Sequence, residues 1–156
     1  MGRKQRVWLP DLYYHVTTRG NRRDPLFRSR EDFKVFLYIL QQLYDKIPYE
    51  VIAYCLMTNH YHLQLRSPHE SLSKLMAFIN KRYANYYNTK YKLTGHVFEK
   101  RYFSDPIEDR KGMFEVSRYI HLNPCRANIV TIPSTYEWSS YSMYTELSPS
   151  KFPKWK

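Results

Sequence analysis

The element order readable in this sequence predicts an α+β sandwich of the ferredoxin-like, split-βαβ kind. Three observations carry that prediction. Residues 31–45 and 72–83 both show apolar positions at helical spacing. Between them, residues 51–65 read as two strands joined by a two-residue turn. Ahead of them, residues 13–18 form a β-branched and aromatic strand pattern. The result is an antiparallel sheet with helices on one face, leaving a third helix near residues 110–122 to be placed elsewhere.

Each element has its own local reason. Tyr13 to Thr18 alternates in the manner of a strand and runs into Arg19-Gly-Asn-Arg-Arg-Asp-Pro25, a basic, turn-rich loop. Phe33, Phe36, Leu37, Leu40 and Tyr44 then mark one face of a helix. Residues 51–57 are almost wholly apolar, which predicts a central strand; Thr58 and Asn59 supply the turn, and residues 60–65 return. Leu72, Leu75, Met76, Ile79 and Tyr83 define the second helix, with Ser71 as its cap. Residues 95–103 read as a strand or hairpin insertion. A third helix over 110–122 stops before Pro124, because proline disfavours helix in the preceding residue. One more strand must close the sheet, from 128–132 or from 97–107. Residues 138–144 fit a short helix packed on the core. One domain over 1–147 is expected, with 148–156 a loose tail.

Charge narrows the function. Twenty-five basic against 14 acidic residues give a net +11, and an excess of that size favours a polyanionic partner. With only 4 glycines, a small-molecule metalloenzyme on a β-barrel is disfavoured. Cys55 and Cys125 are far apart, and Cys55 sits in an apolar run, as a reduced cytoplasmic cysteine would. No segment reads as a signal peptide or a membrane span, so a cytoplasmic protein is expected.

Two short runs carry the chemistry. In Asn59-His-Tyr-His62, strand alternation puts His60 and His62 on one face, where their imidazoles can share a divalent cation. Tyr61, Leu63 and Leu65 take the other face, which argues against Tyr61 as a nucleophile. In Tyr119-Ile-His-Leu-Asn-Pro124, Tyr119 and Asn123 lie one helical turn apart. The Asn123 carbonyl oxygen can be a third ligand and Tyr119 a nucleophile; alternatively, Tyr119 packs in the core and Asn123 caps the helix. A tyrosine hydroxyl titrates near ~10, so attack on a phosphate needs help of the kind Mg²⁺ or Mn²⁺ gives by polarising the phosphate. Transesterification to tyrosine conserves the ester, so a strand can be cut, held and rejoined without ATP.

These runs, with Gly95-His-Val-Phe-Glu-Lys-Arg-Tyr102, resemble the single-tyrosine HUH transposases. Tyr-Ile-x-x-Asn-Pro resembles, more narrowly, the REP-associated tyrosine transposase branch. The likeness covers about residues 13–130. It implies a ferredoxin-like core, cleavage of single-stranded DNA near hairpins, and a 5′-phosphotyrosine intermediate. It also implies His60, His62 and Asn123 as metal ligands, with Tyr119 as nucleophile. Many relatives carry glutamine where this chain has Asn123. The resemblance leaves open a monomer or a homodimer that exchanges the tyrosine helix.

Single-stranded or hairpin DNA requires cations for phosphates and flat groups for bases. Arg19, Asn21, Arg22 and Arg23 form one cluster, Lys81 and Arg82 a second, and Lys100 and Arg101 a third; Arg118 and Arg126 flank Tyr119. Lys4 and Arg6 are candidates for a mobile arm. The competing reading is a non-catalytic module that binds hairpin DNA or RNA without cutting it.

Overall fold

The structure, a computed structural model, describes residues 7–145. The Lys4 and Arg6 arm and the tail at 148–156 lie outside the described residues. Four strands, β1 (Tyr13–Arg19), β2 (Glu50–Leu56), β3 (His60–Arg66) and β4 (Phe103–Ile107), form one sheet in the order β2-β3-β1-β4. Every pairing is antiparallel. Helices α1 (Arg30–Lys46) and α2 (Leu72–Tyr91) connect the strands as the split-βαβ plan requires. The fourth strand comes from the 97–107 alternative. Residues 128–132 are irregular: Asn128 has a left-handed φ of 59°, and Ile129 and Ile132 are exposed.

The two faces of the sheet are covered differently. Tyr61, Leu63 and Leu65 of β3 point into the main core with Phe36 and Leu40 of α1 and Leu75, Ile79 and Tyr83 of α2. Phe36 lies 4.6 Å from the Tyr61 ring, and the Tyr61 hydroxyl donates to Asn80 Oδ1 at 2.5 Å. Helix α3 (Arg110–His121) packs on the opposite face, where Ala53, Cys55 and Met57 meet Ile120 and Val116 in a second, smaller cluster. Burial there pushes the Cys55 thiol up to about 12, so it stays protonated and inert.

Strand β2 lies at the edge of the sheet rather than at its centre. Its continuous apolar character has another cause: helices cover both faces, and a bulge between Val51 and Ala53 shifts its alternation. The segment after Pro133 also covers its outer edge. Leu56 N–H donates to Trp138 O at 2.8 Å and Ser140 N–H to Tyr54 O at 3.0 Å. The expected 138–144 helix is therefore extended at its start, and α5 spans only Tyr141–Thr145. Residues 95–102 likewise make no regular strand; their backbone pairs with the sheet at one bridge, Gly20 to Phe98, and Val97 packs into the main core.

Caps fix the ends of the helices. Ser29 and Asp32 form a reciprocal capping box on α1, and Ser71 accepts from Lys74 N–H at 3.1 Å on α2. Asp32 is fully buried and gathers Lys90 Nζ at 2.8 Å, Tyr86 OH at 2.6 Å and Tyr91 OH at 2.5 Å, which locks α1 to α2. Burial raises its carboxyl, but these donors and the Arg28 N–H outweigh that and hold it at about 2, below the ordinary 3.8. A carboxylate depressed in this way stabilises the fold above the unfolded value and loses that contribution as pH falls from 3.8 towards 2. Asp32→Asn should therefore cost about 2 kcal/mol or more at neutral pH. Urea unfolding at stepped pH should show a flatter acid loss for the variant than for the wild-type chain.

Candidate active site

The polar face of the sheet is built by register. In the β1–β3 ladder Thr17 lies opposite His62 and Arg19 opposite His60, while His15 pairs with Gln64. Residues directly opposite share a face, so His15, Thr17, His60, His62 and Gln64 all point towards α3. Gln64 anchors that helix: its amide donates to Met113 O at 3.1 Å and its carbonyl accepts from Ser117 Oγ at 2.6 Å.

The end of the sheet is closed by two linked turns. Gly20 N–H donates to Asn59 O at 2.9 Å, and Leu26 N–H donates to Thr58 O at 2.7 Å. A 3-10 turn at Asn21–Arg23 follows, with Arg22 and Arg23 in left-handed conformation at φ 56° and 61°. Only glycine fits at position 20, because a Cβ there would lie 2.2 Å from the Asp24 carbonyl oxygen.

Helix α3 delivers the remaining groups. It ends at His121, and after Leu122 a short helix α4 (Asn123–Arg126) continues with Pro124 in its first turn. The buried His121 ring bonds Ser140 Oγ at 2.7 Å, and that hydroxyl also accepts from Tyr54 N–H, so the end of α3 is fixed against β2. Tyr119 is half-exposed rather than a core residue, and the Asn123 side-chain amide turns to His62.

Tyr119, Asn123, His60 and His62 consequently line one cavity of about 280 Å³ with Thr17, Asn59, Arg19 and Arg23. The Tyr119 ring stands 5.8 Å from that of His62 and 5.6 Å from that of His15. The two motif histidines are 5.1 Å apart, ring centre to ring centre. His60 Nδ1–H donates to Asn59 Oδ1 at 2.8 Å, which leaves the lone pair on Nε2. At His62, Asn123 Nδ2 donates to Nε2 at 2.7 Å, so that nitrogen carries a lone pair as well.

The electrostatics keep these rings neutral. Burial, reinforced by His60, His15, Arg126 and Arg19, pushes His62 down to about 3 from 6.5. Burial with the nearby Arg19 lowers His60, and burial lowers His15 against a smaller opposing pull from Asp105. Arg126 lies over the Tyr119 ring at 4.1 Å, and its guanidinium donates to the Tyr119 carbonyl. Two neutral imidazoles presenting Nε2 and an adjacent amide that can turn its oxygen inward are a donor set that fits a divalent cation. Among the described residues no three His, Cys, Asp or Glu side chains cluster to hold a metal.

The other basic residues fall in different places. Lys81, Lys100 and Arg101 line a separate groove of about 610 Å³ between α2 and residues 95–102, with Phe98 and Tyr102. Arg82 turns instead to Gln42 on α1. Arg118 and Arg22 are exposed, and Asn21 donates its backbone N–H to Val97 O at 2.8 Å. His15 and Thr17 are site residues that the motif reading passed over. Their signal was present in the alternation of residues 13–18, but only the ladder register brings them to His62.

A four-stranded antiparallel sheet with helices on both faces is also the fold of solved transposases. The REP-associated tyrosine transposase solved bound to a REP hairpin superposes with a TM-score of 0.77 at 18% identity, over 92% of this chain and 84% of that one. A transposase crystal structure from Deinococcus radiodurans aligns with a TM-score of 0.53 at 17% identity, over 76% of this chain and 95% of that one. A REP-associated tyrosine transposase of Haemophilus influenzae is 22% identical over 113 residues, 65% of this chain and 64% of the relative. The match thus spans a little under two thirds of that relative's length. The family model for IS200-like transposases matches residues 9–123, and the chain belongs to that family.

Gly20→Ala should destabilise the chain by about 1–3 kcal/mol, because the Asp24 carbonyl cannot retreat without opening the 3-10 turn. Denaturant unfolding measures the loss. A variant as stable as the wild type would show that the two turns are not rigidly tied.

Proposed function

We propose that this chain cuts and transfers single-stranded DNA through a covalent 5′-phosphotyrosine intermediate, acting near hairpins. The observation that carries the reading is the convergence of Tyr119, His60, His62 and Asn123, drawn from three elements, in one cavity edged by arginines. The hairpin-bound structural neighbour supports the choice of DNA.

His60 and His62, through Nε2, and Asn123, through its amide oxygen, would hold Mg²⁺ or Mn²⁺. When bound, that ion polarises the scissile phosphate and stabilises its developing charge. The remaining work belongs to side chains. Arg19 and Arg23 meet phosphate oxygens at the cavity mouth. Arg126 holds the Tyr119 ring in place and adds positive charge beside it. Tyr119 Oη then attacks phosphorus as the phenol passes its proton to solvent; the P–O3′ bond breaks, and the departing 3′ oxygen takes a proton from solvent. The products are a phosphotyrosine diester and a free 3′-hydroxyl, and reversal on another 3′ end transfers the strand. The groove with Lys81, Lys100, Arg101, Phe98 and Tyr102 combines cations with aromatic faces, as a path for single strand requires.

The decisive experiment is a denaturing gel of protein with labelled hairpin-bearing single-stranded DNA from sequence flanking its own gene, run with Mn²⁺ and with EDTA. A metal-dependent, protease-sensitive adduct is expected. Tyr119→Phe should abolish the adduct while leaving DNA affinity within about twofold, since one hydroxyl is lost. His60→Ala should abolish both cleavage and Mn²⁺ binding. Binding without adduct across several flanking hairpins would instead favour a non-catalytic module. Lys100→Ala with Arg101→Ala should weaken binding at every sequence and lower the salt slope by roughly 0.7 per lost phosphate contact. An unchanged slope would remove the groove from the DNA path.

A further inference from the structure

His15 and Thr17 belong to neither motif, yet both lie within hydrogen-bond distance of the most buried motif histidine. His15 Nε2 lies 3.0 Å and Thr17 Oγ1 3.1 Å from His62 Nδ1. The other side of that ring is already assigned: Asn123 Nδ2 donates to His62 Nε2 at 2.7 Å. A neutral imidazole carries one hydrogen, and an N–H pointed at Nε2 leaves only Nδ1 to bear it. His62 Nδ1–H must therefore donate towards β1, where His15 Nε2 and Thr17 Oγ1 are the acceptors. His15 accepts through Nε2 and so keeps its own hydrogen on Nδ1.

The ladder makes this arrangement stiff. Thr17 is the direct cross-strand partner of His62, and His15 sits two residues along the same strand face. The His62 ring is 5% exposed and is hemmed in by His60 at 5.1 Å and Tyr119 at 5.8 Å. It cannot turn away without breaking the contacts to β1.

We propose that His15, assisted by Thr17, is a positioning residue that fixes His62 in the Nδ1–H form, so that the Nε2 lone pair faces the cavity as a ligand. A hydrogen bond from the non-ligating nitrogen is how imidazole ligands are oriented and made more basic in metal sites. The inference rests on the reading of His62 as a ligand, and it reaches a residue outside both motifs.

The test compares the full-length wild type with His15→Ala, His15→Gln and His62→Ala. Two readouts are used: Mn²⁺ titration followed by calorimetry, and the ¹⁵N shifts of the His62 ring without metal. The wild type should show the Nδ1–H tautomer and bind Mn²⁺, and His62→Ala should lose that binding. His15→Ala should mix the two tautomers and weaken Mn²⁺ by about 10- to 100-fold. His15→Gln can put an amide oxygen where Nε2 stood, and it should restore affinity to within a few-fold of wild type. A merely structural role would not distinguish glutamine from alanine in this way. Retention of a pure Nδ1–H ring and full affinity in His15→Ala would overturn the inference. So would a glutamine variant as weak as alanine. If the wild type bound no Mn²⁺, the ligand reading would fail, while the metal-free tautomer would still decide the role of His15.

Discussion

The register of β1 against β3 is the constraint on which the rest of the molecule depends. One set of alternating side chains on β3, Tyr61, Leu63 and Leu65, closes the main core under α1 and α2. The other set, His60, His62 and Gln64, faces α3 together with His15 and Thr17 from β1. A slip of one residue would exchange the two sets, sending histidines into the apolar core and a tyrosine and leucines into the cavity. Stability and chemistry are thus specified by the same hydrogen-bond ladder. The core side, whose every β3 member is fully buried, holds the ladder in place for the polar side.

The polar side is assembled in layers outward from the strand. Gln64 ties α3 down near its middle, and His121 with Ser140 fixes its end. Between those anchors α3 has little freedom to rotate, so Tyr119 reaches the cavity while remaining half-exposed. Of the imidazoles beneath, His62 is buried and His60 partly so, and burial lowers both, favouring the neutral form with a free lone pair. Depth therefore separates the imidazoles on the sheet from the phenol on the helix above them.

Much of this was legible in the sequence because it is local. Alternation at residues 60–65 reveals which side chains share a face, and apolar spacing in α1 and α2 reveals the layer that covers them. The motif residues could be paired across sixty positions only through resemblance to a family, because spacing within each run says nothing about the other. What stayed hidden was set by cross-chain geometry. His15 and Thr17 gain their meaning from the residues opposite them, and Arg82 is turned aside by Gln42 on another helix. The apolar run at 51–57 read as central because burial on both faces has the same signature wherever a strand lies. Coverage by the 138–140 segment was not visible in the strand itself.

That covering segment has a consequence for how copies of the chain meet. A sheet normally offers two edges with unpaired amides, each a template for another strand. Here the β2 edge is occupied by Trp138 and Ser140 at the level of Tyr54 to Leu56. The opposite edge belongs to β4, only five residues long and interrupted by Pro106, which has no N–H to donate. Strand-to-strand addition is thus blocked along part of one side and poorly templated on the other. The sheet is in this way shielded from edge-to-edge aggregation.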